Sequence, residues 1–489
     1  MDHYLEQLKD EWLIEVTIEE IQEQLESNKI TSRQLVLMYL SRIAKVDQGG
    51  PKINSIIEVN PEALHIADSL DYERKTKGSR GPLHGIPVVI KDNIDTADKM
   101  HTSAGSLVLA ESYAKEDATL VKQLREAGAI ILGKTNLTEW ANFIAEDMPT
   151  RYSSRGGQVL NPYGTDFIVG GSSAGSGAAI AANLAVVAVG TETSGSILSP
   201  ASQNSLVGIK PTVGLISRKG IIPISHTQDT AGPMARSVKD AAILLNVLTG
   251  KDSQDPITLT NDLADLDFTN HLIKEGLKGK KIGIARETYF DELNESHLTV
   301  MNNAINKLKE LGAEVVDPIT IPSTNEEWDI NVLLYEFKTD LNAYLKTIDS
   351  SIGVRTLADV IKANEQIGEK ALKFGQKLFL DANATSGNLI EPEYLESLEK
   401  DDTLSKTKGI DHVMQEQGLD AIVFPNNFGA MIPAKAGYPS ITVPAGYTNE
   451  GEPVGITFTA KAYMEPTLLE IAYSYEQATK HRVAPFQAK

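Results

Sequence analysis

Two stretches of small residues hold the densest chemical signal in the chain: Gly170-Gly171-Ser172-Ser173-Ala174-Gly175-Ser176-Gly177 and Gly190-Thr191-Glu192-Thr193-Ser194-Gly195-Ser196-Ile197. Small residues at this density let backbone N–H groups converge on an anion and leave hydroxyls uncrowded. Three chemistries compete with the plain alternative, glycines that only let a helix pack closely. A phosphate-cradling loop fails on detail, because neither G-x-x-x-x-G-K-[ST] nor G-x-G-x-x-G opens the helix. A nucleophile elbow matches better, since Gly171-Ser172-Ser173-Ala174-Gly175 reads G-x-S-x-G after the apolar Phe167-Ile168-Val169. It needs a downstream acid and a histidine, and His226, His271, His297, His412 and His481 all lack a distinctive context. The third chemistry uses a lysine base. Lys91 directly follows an apolar run, at the carboxyl end of an expected strand, where α/β sheets place their sites. Desolvation there penalises the ammonium form, and a neutral amine can take a proton from a serine. An ion pair of Lys91 with Asp92 or Asp95 explains the same residues equally well.

These groups must be carried by ordered elements. Ile86-Pro87-Val88-Val89-Ile90 reads as a buried strand ending at Lys91-Asp92-Asn93. Residues 117–127 read as a helix stopped by Gly128, and Ala129-Ile130-Ile131-Leu132 as the next strand. Later strand-like runs fall at 281–285, 421–424 and 440–443. The alternation predicts an α/β fold with a largely parallel sheet covered on both faces. Thr17 with Glu20, and Thr31 with Gln34, form capping boxes at two N-terminal helices, the second opening a stripe of Leu35, Met38, Tyr39, Arg42 and Ile43. The polar, Asp-rich stretch 251–270 is the best linker or insertion candidate. Residues 325–400 read as a charged helical cap over one edge. One large domain over 1–489 is favoured: N-terminal helices 1–75, a core 76–250, a variable helical cap region 255–410 and a sheet-completing part 411–489. A split near 255 is the lesser alternative.

Composition narrows the function. Among 489 residues, 46 Lys and Arg stand against 66 Asp and Glu, a formal net charge of −20. That balance disfavours nucleic acid and anionic membranes as partners. With no cysteine, thiolate nucleophiles and Cys-ligated metals are excluded. The uncharged stretch 167–191 has the length of a membrane span. Its apolar part is confined to 178–189, which fits a buried helix or a helix plus strand. The polar, acidic first residues carry no signal-peptide pattern, so the expectation is a cytoplasmic protein.

At this point the residues resemble the amidase signature family. The resemblance rests on 81–93 (Gly-Pro-Leu-His-Gly-Ile-Pro-Val-Val-Ile-Lys-Asp-Asn), 170–177, 190–200, Val207-Gly208-Ile209-Lys210-Pro211-Thr212, 229–238 and 436–446. It is strongest over 80–250 and weakest over 255–410. It implies an α/β fold with a mixed sheet of about eleven strands and a Ser–cisSer–Lys triad without metal or organic cofactor. By position Ser196 is the implied nucleophile, Ser172 the cis-serine and Lys91 the base. Backbone N–H groups of Thr193, Ser194, Gly195 and Ser196 form the implied oxyanion hole, and Ser173 supports the network by hydrogen bonds.

Two departures stand out. Where the family usually has Asp-x-Gly-Gly-Ser-Ile-Arg, this chain reads Glu192-Thr193-Ser194-Gly195-Ser196-Ile197-Leu198. The usual Asp–Arg support cannot form, which predicts a less firmly held loop. The variant also speaks against the glutamine-hydrolysing amidotransferase subunit. With 210–218 and 221–225 it is more similar to the peptide amidase branch, whose members remove the C-terminal amide of peptides. The expectation is therefore a cofactor-free amidase of a small-molecule or peptide amide, a monomer or homodimer with no nucleic-acid or membrane partner, working through an acyl-Ser196 intermediate. Its alternatives are an amidase of small aliphatic, aryl or cyclic amides, a subunit of a transamidating complex, and an esterase built on Ser173 and a histidine. Substrate-pocket residues are expected from 140–165, 325–400 and 424–433, with Phe424, Phe428 and Met431 lining a pocket or packing in the core.

Overall fold

The apolar runs bounded by turns become strands, and the computed structural model, which describes residues 3–486, places them in one sheet. In chain order the strands are β1 (Ile56–Val59), β2 (Pro87–Lys91), β3 (Ile130–Thr135), β4 (Tyr152–Ser153), β5 (Gly157–Gln158), β6 (Val187–Glu192), β7 (Val207–Lys210), β8 (Thr230–Ala235), β9 (Lys281–Ala285), β10 (Glu314–Ile319), β11 (Ala421–Pro425), β12 (Ser440–Tyr447) and β13 (Pro453–Thr459). β4 and β5 form a separate hairpin. The other eleven lie in the order β1-β3-β2-β6-β8-β7-β12-β13-β11-β9-β10.

The mixed sheet of eleven strands agrees with the resemblance, whereas the expectation of a largely parallel sheet is corrected. Parallel pairing is confined to β3-β2-β6 and β11-β9-β10. Everything between β6 and β11, and the β1 edge, is antiparallel. Antiparallel neighbours need no helical crossover, and β12 and β13 are joined by a short turn through Asn449, Glu450 and Gly451. Strand β8, Thr-Ala-Gly-Pro-Met-Ala, escapes a pattern search because Gly and Pro argue against a sheet interior. It is tolerated here because pairing with β7 involves only Met234 and Ala235. Pro233, with no N–H to donate, sits where that ladder has ended.

Both capping boxes form as expected, at Thr17 with Glu20 and Thr31 with Gln34. The uncharged 167–191 stretch is an eight-residue helix, Ala174–Ala181, followed by β6. Among the described residues no helix is long and apolar enough to cross a membrane. Residues 251–270 are strapped down rather than free. Asp255 pairs with Arg218 at 2.9 Å, Asp252 accepts from the Thr119 and Ser217 hydroxyls, and Phe268 is fully buried. The helices Asn331–Leu345, Leu357–Ile367 and Lys377–Ala384 form the cap. Phe337 and Phe379 of the cap pack against Phe143 and Trp140, with ring centroids 4.8 and 5.4 Å apart.

The helix Ala174–Ala181 lies so close to its neighbours that a Cβ on Gly175 would stand 2.4 Å from the carbonyl oxygens of Asn136 and Ser55. Backbone cannot yield as a side chain does, so Gly175→Ala should destabilise the fold by about 1–3 kcal/mol. Chemical unfolding measures this, and an unchanged midpoint would show that the approach is not tight.

Candidate active site

Lys91 is the last residue of β2, between β3 and β6, and it is completely buried. The register that sets Ile90 beside Val189 brings Thr191 of β6 next to the lysine. Lys91 Nζ lies 2.7 Å from Ser172 Oγ, 2.8 Å from Thr191 Oγ1 and 3.2 Å from the Thr191 carbonyl oxygen. Ser172 follows the cis Gly171–Ser172 peptide, and its carbonyl accepts from the Thr138 N–H at 3.0 Å. A neutral amine has two N–H groups and one lone pair. The Thr191 oxygens can accept both N–H groups, which leaves the lone pair directed at the Ser172 hydroxyl.

The ion-pair alternative for Lys91 is not what forms. Asp92 is committed to the turn at 103–105, accepting from Gly105 N–H at 3.1 Å and the Ser103 hydroxyl, with Arg155 3.5 Å away. Asp95 accepts from the Tyr344 hydroxyl at 2.8 Å. No carboxylate comes within salt-bridge distance of Lys91 among the described residues. Burial therefore drives its pKa down to about 7, against the opposing fields of Glu192 and Asp229.

The loop after β6 carries the remaining candidates. Its expected loss of support is corrected by Glu192 itself. That buried carboxylate accepts from the N–H groups of Gly195 at 2.6 Å, Ile197 at 2.7 Å and Leu198 at 3.0 Å. Backbone donors take over from the absent arginine. The same geometry removes the Gly195 N–H from the expected oxyanion donors, because Glu192 already holds it. The N–H groups of Thr193, Ser194 and Ser196 have no partner among the described residues. Gly195 adopts φ +82°, which a side chain would strain, and a Cβ there would approach Asn427 Nδ2 to 3.3 Å.

Ser196 is mostly buried, and its carbonyl accepts from Ser173 N–H at 3.1 Å. The backbones of the two small-residue stretches are thus joined at the site. The Ser196 hydroxyl makes no hydrogen bond to another described residue. Ser173 Oγ donates to the Thr191 carbonyl at 3.1 Å and accepts from Thr191 N–H at 3.2 Å, as a supporting group would. No histidine hydrogen-bonds to it, so the elbow chemistry finds no base there. His226, the nearest to the site's cavity, pairs with Asp340 at 2.9 Å.

That cavity, of about 680 Å³, is lined by Asn93 and Thr191–Thr193, neighbours of Lys91, Ser172 and Ser196, which do not themselves line it, and it extends toward Ile221, Ile222, Ile224 and the cap residue Tyr344. The expected contribution from 325–400 is present through 340–348. From 140–165 only Ala141 lines it, and 424–433 does not, although Ala430 lies against Gly195. Phe424 is core, packed on Tyr289. Sequence reasoning missed Thr191, Asn93 and Asp229 as parts of the site. Asn93 Nδ2 donates to Thr191 Oγ1 at 3.0 Å, and the Thr193 hydroxyl donates to Asp229 at 2.6 Å. All three sit inside the motif stretches, where their polarity next to small residues was the available signal.

A profile of the Amidase family matches residues 34–469. The chain belongs to the Amidase family. This amidase is 44% identical to a probable amidase of Arabidopsis thaliana, over 96% of this chain and 91% of that one. Its fold is similar to that of the native peptide amidase of Stenotrophomonas maltophilia, with 43% identity, a TM-score of 0.92 and coverage of 97% and 99%. A glutamyl-tRNA(Gln) amidotransferase subunit of Thermotoga maritima is less similar, with 26% identity, a TM-score of 0.73 and coverage of 97% and 98%. Amide hydrolysis is thus the activity class of this amidase.

If Glu192 holds the loop of this amidase, Glu192→Gln should weaken its grip on the three N–H groups, because a charged acceptor bonds about twice as strongly as a neutral one. Hydrogen exchange at Gly195, Ile197 and Leu198 should quicken while β2 stays protected. Unchanged exchange at those three amides would contradict the clamp.

Proposed function

We propose that this amidase hydrolyses primary carboxamides, the amidated C-terminus of peptides above all, through an acyl-Ser196 intermediate. The observation that carries the mechanism is the 2.7 Å approach of a buried Lys91 amine, with no carboxylate partner, to the Ser172 hydroxyl. The pull toward peptide amides comes from similarity to the Stenotrophomonas enzyme, which exceeds that to the amidotransferase subunit.

A serine hydroxyl is a weak nucleophile and needs a base in reach. Ser172 takes the Ser196 proton while passing its own to neutral Lys91. Ser196 Oγ, free of other hydrogen bonds, attacks the amide carbon. The N–H groups of Thr193, Ser194 and Ser196 meet the negative charge that develops on the carbonyl oxygen. Reversal of the relay protonates the departing nitrogen, the C–N bond breaks and ammonia leaves. Water then attacks the ester through the same relay, releasing the acid and restoring Ser196.

Lys91→Ala should lower kcat/KM by about 10²–10⁴ without unfolding the chain. In the parent enzyme kcat/KM should fall as pH drops below about 7, since protonated Lys91 has no lone pair to offer. Ammonia release from an amidated dipeptide, lost in Ser196→Ala, is the expected result. Release only from benzamide or a short aliphatic amide would keep the chemistry and move the substrate class. Full activity of Lys91→Ala, or a flat profile to pH 5, would overturn the base.

A further inference from the structure

The cavity wall distributes charge unevenly. Each of its cationic side chains already faces a carboxylate: Arg218 pairs with Asp255 at 2.9 Å, Lys219 with Glu116 at 2.5 Å, and the exposed Lys115 lies 3.9 Å from Asp349. His226 is held by Asp340. Three further carboxylates break this pattern. Asp95, Glu192 and Asp229 line the cavity, are all buried, and form no ion pair with any described cation. Their oxygens are satisfied by neutral donors: the Tyr344 hydroxyl for Asp95, three backbone N–H groups for Glu192, and for Asp229 the Thr193 hydroxyl with the N–H groups of Ile224 and Ser225. Hydrogen bonds of this kind stabilise a carboxylate without cancelling its field. Beside these acids the wall is apolar, with Ile221, Ile222 and Ile224.

We infer that this cavity selects substrates by charge: it accepts amides whose residue next to the scissile bond is neutral or cationic, and it rejects those carrying a carboxylate there. The inference rests on the amide-hydrolase reading and adds a rule of substrate choice to it. Two consequences follow from the same field. A free amino-acid amide with an α-carboxylate, glutamine among them, finds no uncommitted cation to receive that group. The acid released by hydrolysis acquires a negative charge in a cavity lined by these acids, which opposes its retention.

The test compares the N-acetyl α-amides of methionine, lysine and glutamate on the intact enzyme, with Ser196→Ala as the blank. The three side chains are of similar length, and the lysine compound separates the sign of the charge from the cost of desolvating any charge. The glutamate amide should show kcat/KM about 10- to 100-fold below both others, the scale expected for like charges a few ångströms apart in a partly dry site. Asp95→Asn, which removes one of the three charges and keeps an acceptor for Tyr344, should narrow the lysine-to-glutamate gap several-fold. Equal rates for lysine and glutamate would overturn the inference and leave amide hydrolysis standing. No Ser196-dependent release from any of the three would overturn the hydrolase reading and this inference together.

Discussion

An amine buried without a counter-charge is the constraint around which the rest of the site is arranged. Lys91 has no exposed surface and no ion pair, and its pKa falls from 10.5 to about 7. At about 1.4 kcal/mol per unit this corresponds to a cost to folding on the order of 5 kcal/mol. That cost grows as pH falls below 10.5 and levels off below about 7. The fold bears it by pinning the amine between three parallel strands and giving it oxygens that suit the neutral form. The neighbouring Lys134 of β3 resolves the same problem differently, donating to the Ile94 and His101 carbonyls and the Thr102 hydroxyl while facing Asp92 and Asp95. The acids placed beside Lys91 in sequence thus act on other groups in space.

The donor loop depends on a second buried charge. Glu192 folds back on the loop it precedes, so the residue that ends β6 also fixes the backbone around Ser196. Asp229 then couples this loop to the cap. Its carboxylate grips Thr193 and the backbone of the 224–225 turn, and Glu336 of the cap accepts from the Ser225 and Thr227 hydroxyls, both at 2.5 Å, on the same turn. Cap, turn and loop are linked by short contacts between groups far apart in the chain, which ties the cavity wall to the loop that carries Ser196.

Much of this was legible in the sequence, and the exceptions have physical causes. Local signals read well. The capping boxes at Thr17 and Thr31 form, β9 falls at Lys281–Ala285, and Lys91 ends a buried strand. Pairing direction did not, because local alternation reports how elements follow one another and not which neighbours a sheet assigns them. β8 was hidden by its proline and glycine, which are permissible only because the β7 ladder stops at Met234. The Glu192 substitution read as a loss of support because an Asp–Arg pair cannot form. Its gain is a reach to three backbone N–H groups, which no side-chain pattern displays. The tie between Lys91 and Thr191 is likewise a product of strand register.

The central claim is that the Lys91 amine gives up its proton near neutral pH, far below an ordinary lysine. Nitrogen-15 NMR of a lysine-labelled protein tests it directly, with Lys91→Met identifying the resonance and so separating it from buried Lys210, whose pKa is also lowered, to about 8. A Lys91 signal that titrates near pH 7 is the predicted result. A Lys91 amine that stays protonated above pH 9 would contradict the account, because a charged ammonium cannot accept the serine proton.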